Sequence, residues 1–219
     1  MKKTVLITGK ASKLQEHLAR LYLDAGHNVA VTSGTSAEES ESSGLLRLSL
    51  NRRSALSNRT CIIDTLSQFE KIDEALVIFT SEGENRPLHE LAAAEIEEPV
   101  DSSIKAAFFM LKEIIGYFWK QKRGLLSLVL YTYGPEVLTP LDAAAYGSFR
   151  ALADSLFTYY RNEPVTINGF ESESGRTDEF AAFIKQTIDE KAVKTHGRWY
   201  QHSERSGFLS GIPFPGKKK

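Results

Sequence analysis

Two short stretches hold residue types with chemical potential. In Tyr146-Gly147-Ser148-Phe149-Arg150 a phenol stands four positions before a guanidinium, which on a helix places the two one turn apart. On spacing alone such a pair is a packed aromatic beside an ion-pairing cation. Thr8-Gly9 closes an apolar run that begins at Val5. A strand-ending turn of this kind leads into a helix whose first N–H groups attract anions, and Lys10 and Lys13 add positive charge there. Cys61 is the single cysteine, and with it the five histidines form no set with metal-ligand spacing. No metal site is expected, and a lone cysteine excludes an intramolecular disulfide.

The elements that must position these residues alternate from end to end, as in a parallel sheet covered by helices on both faces. Strands are expected at Thr4–Thr8, Asn28–Ser33, Leu45–Leu50, Glu74–Thr80, Leu125–Tyr133, Val165–Phe170 and Arg198–Gln201. Between them the apolar spacing predicts helices over Lys13–Ala25, Ala55–Glu70, Pro99–Gln121, Leu141–Asn162 and Asp178–Lys191. Pro99 suits a first helical turn. The run from Ser33 to Gly44 is polar and without apolar period, so residues 33–44 read as a flexible loop. Open sheets of this kind take ligands at the carboxyl ends of the strands, where strand order reverses. That rule gathers Gly9–Gln15, Ser33, Thr80–Gly83 and Tyr131–Gly134 around one cleft.

Composition narrows the field further. With 219 residues, 42% hydrophobic and 25% charged, the chain suits one doubly wound α/β domain over residues 1–219. A net charge of −1 offers no footprint for nucleic acid, and Lys217-Lys218-Lys219 reads as part of an extended tail, 203–219. Val5–Ile7 is too short for a signal-peptide core, and no segment approaches the ~20 apolar residues of a membrane span. A cytoplasmic protein without a membrane partner is expected.

These features together resemble the short-chain dehydrogenase/reductase family over nearly the whole chain, from Val5 to about Gln201, which implies a Rossmann-type fold. The resemblance implies a dinucleotide site following the first strand, where the family has Thr-Gly-x-x-x-Gly-x-Gly and this chain has Thr8-Gly9-Lys10-Ala11-Ser12-Lys13-Leu14-Gln15. One glycine remains, and Lys13 and Gln15 are expected to project where phosphates would lie. The family's Tyr-x-x-x-Lys proton relay corresponds to Tyr146 and Arg150, with a planar fork in place of the compact ammonium. Counting back from Tyr146, the carbonyl-positioning serine falls on Tyr133, whose phenol is expected to fill that space, with Thr132 one position off. Ser103 stands where the family has a helix asparagine. Ser33, Ser49 and Thr80 occupy the cofactor-contacting ends of the second, third and fourth strands, and Glu82 would meet the phosphates unfavourably if it faces them. Asn168-Gly169 matches the end of the sixth strand, and Glu171–Arg176 replaces the family's Pro-Gly turn and lid.

The resemblance thus implies no cofactor or only weak NAD(P), without preference between the two. The expected function is a non-catalytic binding or assembly protein. The alternatives are an atypical NAD(P)-dependent oxidoreductase using Tyr146 and Arg150, and a nucleotide sensor. A homo-oligomer is expected through helices 99–121 and 141–162, whose apolar faces are wider than packing on one sheet requires, and a protein partner fits the same surface.

Overall fold

The computed structural model of the chain describes residues 2–33, 44–80, 87–133 and 138–203. Apart from their end residues, the expected loop 33–44 and tail 203–219 lie outside the described residues, as does Glu82. Seven strands form one parallel sheet in the order β3-β2-β1-β4-β5-β6-β7. They are β1 (Thr4–Gly9), β2 (Asn28–Ser33), β3 (Leu45–Ser49), β4 (Glu74–Thr80), β5 (Leu125–Tyr131), β6 (Thr166–Ser172) and β7 (Trp199–His202). Strand order reverses between β1 and β4, which are paired from Val5↔Glu74 to Gly9↔Ile78.

Both faces are covered, which is why β4 and β5 read as unbroken apolar runs. One core, with Leu6, Val77, Leu126 and Leu128 at its centre, is closed by α2 (Ala55–Phe69), α4 (Ala106–Gln121) and α5 (Pro140–Tyr159). The other, built on Val5, Ile7, Leu76 and Val129, is closed by α1 (Lys13–Asp24) and α6 (Thr177–Glu190). Helix starts follow capping chemistry. Ser12 accepts the Gln15 N–H, Ser54 accepts the Ser57 N–H, and Thr139 accepts the Asp142 N–H.

Several boundaries differ from the sequence expectation, among them the end of β5 at Tyr131 and of α5 at Tyr159, and three differences bear on the site. Pro99 does not open its helix: α3 (Ala93–Pro99) precedes it, and a π-helical turn at Val100–Lys105 joins α3 to α4. A proline inside a helix withholds one N–H from the ladder, and the wide turn follows immediately. The first-turn proline is instead Pro140, which starts α5 behind the Thr139 cap. Strand β6 runs on to Ser172, because Phe170, Glu171 and Ser172 pair with Val129, Leu130 and Tyr131 of β5. Asn168 and Gly169 therefore lie inside the strand. Among the described residues no helix is long and apolar enough to cross a membrane.

Gly169 is required by a close approach. A Cβ there would lie 2.3 Å from the Trp199 ring, which lies against the backbone at this position. Gly169→Ala must push the indole away, with an expected loss of about 1–3 kcal/mol in denaturant unfolding. A change within ~0.5 kcal/mol, the range of a neutral surface substitution, would show that the ring moves freely.

Candidate functional site

The carboxyl ends of the central strands bring most of the sequence-predicted residues to one edge. Ser33 pairs with Ser49 at the ends of β2 and β3, and Thr80 pairs with Tyr131 at the ends of β4 and β5. Thr8, Gly9 and Ser103 line one narrow crevice together with Arg52, Asn58 and Phe149. Its free volume is about 20 Å³, room for a single small group. Ser103 reaches it from the π-helical turn, a local geometry found often at functional sites. In the same turn Ser102 Oγ is buried with no hydrogen-bond partner among the described residues.

Gly9 has φ +148°, and a Cβ there would lie 2.3 Å from the Ile78 carbonyl oxygen. The sheet itself requires this glycine, since β1 touches the β4 backbone where the strands diverge. The Thr8 hydroxyl is turned inward and accepts a hydrogen bond from Thr32 Oγ1 at 3.3 Å.

Gln15 corrects an expectation. It is 3% exposed, and its amide donates to the carbonyl oxygens of Thr32 at 2.9 Å and Ile7 at 3.3 Å. The amide fills the space between α1 and strands β1 and β2 and does not enter the phosphate position. Lys13 is exposed in the first turn of α1. Tyr133 is a second correction. The residue is 64% exposed and its ring lies against Gly175, where an added Cβ would come within 2.6 Å of it, so the phenol is turned outward over the end of β6 rather than packed inward. Thr132, half-buried, donates its N–H to the Ser172 carbonyl at 3.2 Å.

Tyr146 and Arg150 do meet, on a residue that sequence reasoning placed in a turn. Glu171, near the end of β6, accepts the Tyr146 hydroxyl on Oε1 at 2.8 Å and pairs through Oε2 with Arg150 Nη1. The guanidinium also stacks 3.9 Å over the Trp199 ring, whose Nε1 donates to Asp154 at 2.7 Å. Burial, followed by the Glu171 hydrogen bond and charge, pushes the Tyr146 phenol up to about 12, against the opposing pull of Arg150. A phenol in this setting is a proton donor, not a base at neutral pH. The signal for Glu171 was register: a strand continued by two residues carries its side chain to α5.

No family model matches the chain, and no curated protein matches it by sequence. Solved structures match it by fold. A short chain dehydrogenase from Bacillus anthracis aligns with TM-score 0.77 at 17% identity, over 91% of this chain and 94% of that one. Levodione reductase aligns at 0.78 and 15% identity, over 91% and 95%. A 3-ketoacyl-(acyl-carrier-protein) reductase from Brucella melitensis, complexed with NADH, aligns at 0.78 and 14%, over 91% and 96%. The chain has the fold of these short-chain reductases across nearly all of its length.

The folded chain holds Tyr146 neutral more strongly than the unfolded chain does. Its contribution to stability is complete below the ordinary phenol value of 10 and is lost as pH rises toward about 12. Tyr146→Phe should therefore flatten the alkaline loss of stability across that interval, while Tyr22, also raised by burial, keeps part of the slope. Equal slopes for wild type and variant in denaturant unfolding at stepped pH would contradict this.

Proposed function

We propose that the chain is an atypical NAD(P)-dependent oxidoreductase that works as a carbonyl reductase, with Tyr146 as proton donor and Arg150 as its neighbouring cation. The observation that carries this reading is the neutral Tyr146 hydroxyl, oriented at the carboxyl edge of the sheet by Glu171. The names of the fold neighbours support it, since two are reductases and one of these was solved with NADH. The inward turn of Gln15 and the outward turn of Tyr133 support it too, because two expected obstructions are absent.

The residues placed to hold a dinucleotide are the first turn of α1 with exposed Lys13, and Arg52, Asn58 and Ser103 around the crevice beside Gly9. When bound, the nicotinamide supplies the hydride. Tyr146 gives its proton to the oxygen of the reduced carbonyl, an alkoxide being a far stronger base than a phenolate. Arg150 keeps its charge at every accessible pH and steadies the phenolate left behind. The reverse reaction needs a phenolate first, so alcohol oxidation should be slow at neutral pH and climb as pH approaches about 12.

The test pairs binding with turnover. NADH or NADPH at 100 times its dissociation constant should stabilise the chain by ~2.7 kcal/mol, and an activated carbonyl should be reduced at a rate that Tyr146→Phe lowers by about 100-fold or more. A second reading, a non-catalytic binding or assembly protein, is favoured by one observation: Glu171 already occupies the phenol and the guanidinium. Absence of stabilisation by all four nicotinamide nucleotides selects it, and stabilisation without turnover selects a nucleotide sensor.

We further propose a homodimer through α4 and α5. Phe108, Trp119 and Tyr159 are 52%, 47% and 81% exposed around an apolar groove of about 570 Å³ that Leu152 and Leu156 help to line. Phe157, although on the same helix, is 7% exposed and packs on Trp199 inside the protomer, so it cannot report on the contact. Light scattering should give about twice 24.4 kDa, reduced to the monomer mass by Phe108→Glu or Tyr159→Glu with the fold intact. A monomer in the wild type rejects the interface.

A further inference from the structure

The ends of β6 and β7 border a polar groove of about 500 Å³, lined by Glu171, Ser172, Glu173, Ser174, Gln201 and His202. Glu171 faces two ways. Its carboxylate holds the Tyr146 hydroxyl on the α5 side, and its side chain, 16% exposed, also lines the groove. We propose that Glu171 is the proton-exchange residue of this site, returning to Tyr146, from water in the groove, the proton that the phenol gives up. The proposal rests on the reading of Tyr146 as proton donor.

The chemistry of the neighbours leaves this task to the carboxylate. Arg150 touches the same oxygen pair but cannot release a proton in a protein, so a relay through the cation is closed. Each carboxylate oxygen has two acceptor sites. Oε1 spends one on Tyr146 and Oε2 one on Arg150, which leaves capacity for water on the groove side. In the exchange a hydronium ion in the groove protonates a carboxylate oxygen. That new O–H bond breaks as the phenolate takes the proton, the carboxylate is restored, and no electrons change hands.

Among the described residues, further charged groups near Tyr146, apart from Asp142 one turn earlier on α5, are set as follows. On α5, Asp154 lies 3.8 Å from Arg150 Nε. After β6, Glu173 adds a weak negative influence. On the segments that pack against α5, Asp101 pairs with Lys105 at 2.8 Å, Glu98 pairs with Arg53, Glu95 accepts the Ala92 N–H and Glu97 is exposed. At the strand edge His202 is hydrogen-bonded to Ser172 at 3.1 Å.

The deciding experiment needs no cofactor. In protein with isotope-labelled tyrosine, the exchange of the Tyr146 hydroxyl proton with water is followed by NMR, with Tyr146→Phe giving the assignment. Glu171→Gln keeps an acceptor for the phenol but cannot carry a proton. It should slow exchange on the order of 100-fold, while Glu171→Ala should exchange slowly and recover on addition of formate. Exchange as fast in folded Glu171→Gln as in wild type overturns the proposal, as does Glu171→Ala without formate rescue. If exchange depends on Glu171 but no carbonyl is reduced, the reductase reading fails and the proton path stands.

Discussion

Burial of the sheet on both faces is the constraint on which the rest of this molecule depends. Strands packed between two layers of helices have no water at their side chains, so any polar group there must find a protein partner or cost several kcal/mol. The central strands answer with apolar residues, and two of the exceptions show how a buried polar group is matched, whereas Ser127 Oγ and Tyr131 Oη of β5 are buried with no hydrogen-bond partner among the described residues. Glu74 is buried at the amino end of β4 and takes both Lys3 and the Tyr22 hydroxyl. Asn168 lies fully buried in β6. It donates to the Ala192 and Thr195 carbonyls and accepts the Arg198 N–H, which fixes the approach to β7.

The candidate site obeys the same rule and is shaped by it. Where α1 meets β1 and β2, Gln15 supplies the polar atoms for Thr32 and Ile7, and the Thr8 hydroxyl bonds Thr32. At the other end of the edge, Tyr146 and Arg150 reach from α5 to the end of β6, beside the polar groove. Glu171 satisfies both at once, and Trp199 closes over the guanidinium because Gly169 lets the indole lie on the backbone. Removing either charged member leaves the other, which is half-buried, without its ion partner, whereas removing the phenol leaves the pair in place.

The alternation of strands and helices was legible in the chain because period and composition carry it, and the ends of β4 fell where the apolar run ends. Capping serines and the Thr139-Pro140 start were readable in principle, although Pro99 drew attention from Pro140. Tyr146 and Arg150 were legible as a pair through their spacing. Their common partner was not. Glu171 sits in a run of small and acidic residues that reads as a turn, and strand pairing with β5, a contact distant in sequence, makes it part of the sheet. Gln15 and Tyr133 were misread for a related reason. Position along an element says where a side chain starts, while its direction depends on which partners remain unsatisfied nearby.

That last point bears on how far altered residues can be read as lost function. A glycine replaced by glutamine at the start of a helix suggests a blocked phosphate site when only volume is counted. Here the glutamine turns inward to the carbonyls of Ile7 and Thr32, and Lys13 at the helix start is exposed. Replacement of a lysine by Arg150 suggests a broken relay when only the cation is counted. Here a carboxylate from another strand meets both the phenol and the guanidinium, so the cation is one member of a three-residue set. The chemistry open to this site therefore follows from the Tyr146–Glu171–Arg150 set taken as one unit, because neither the acidity of the phenol nor its access to solvent is fixed by the helix residues alone.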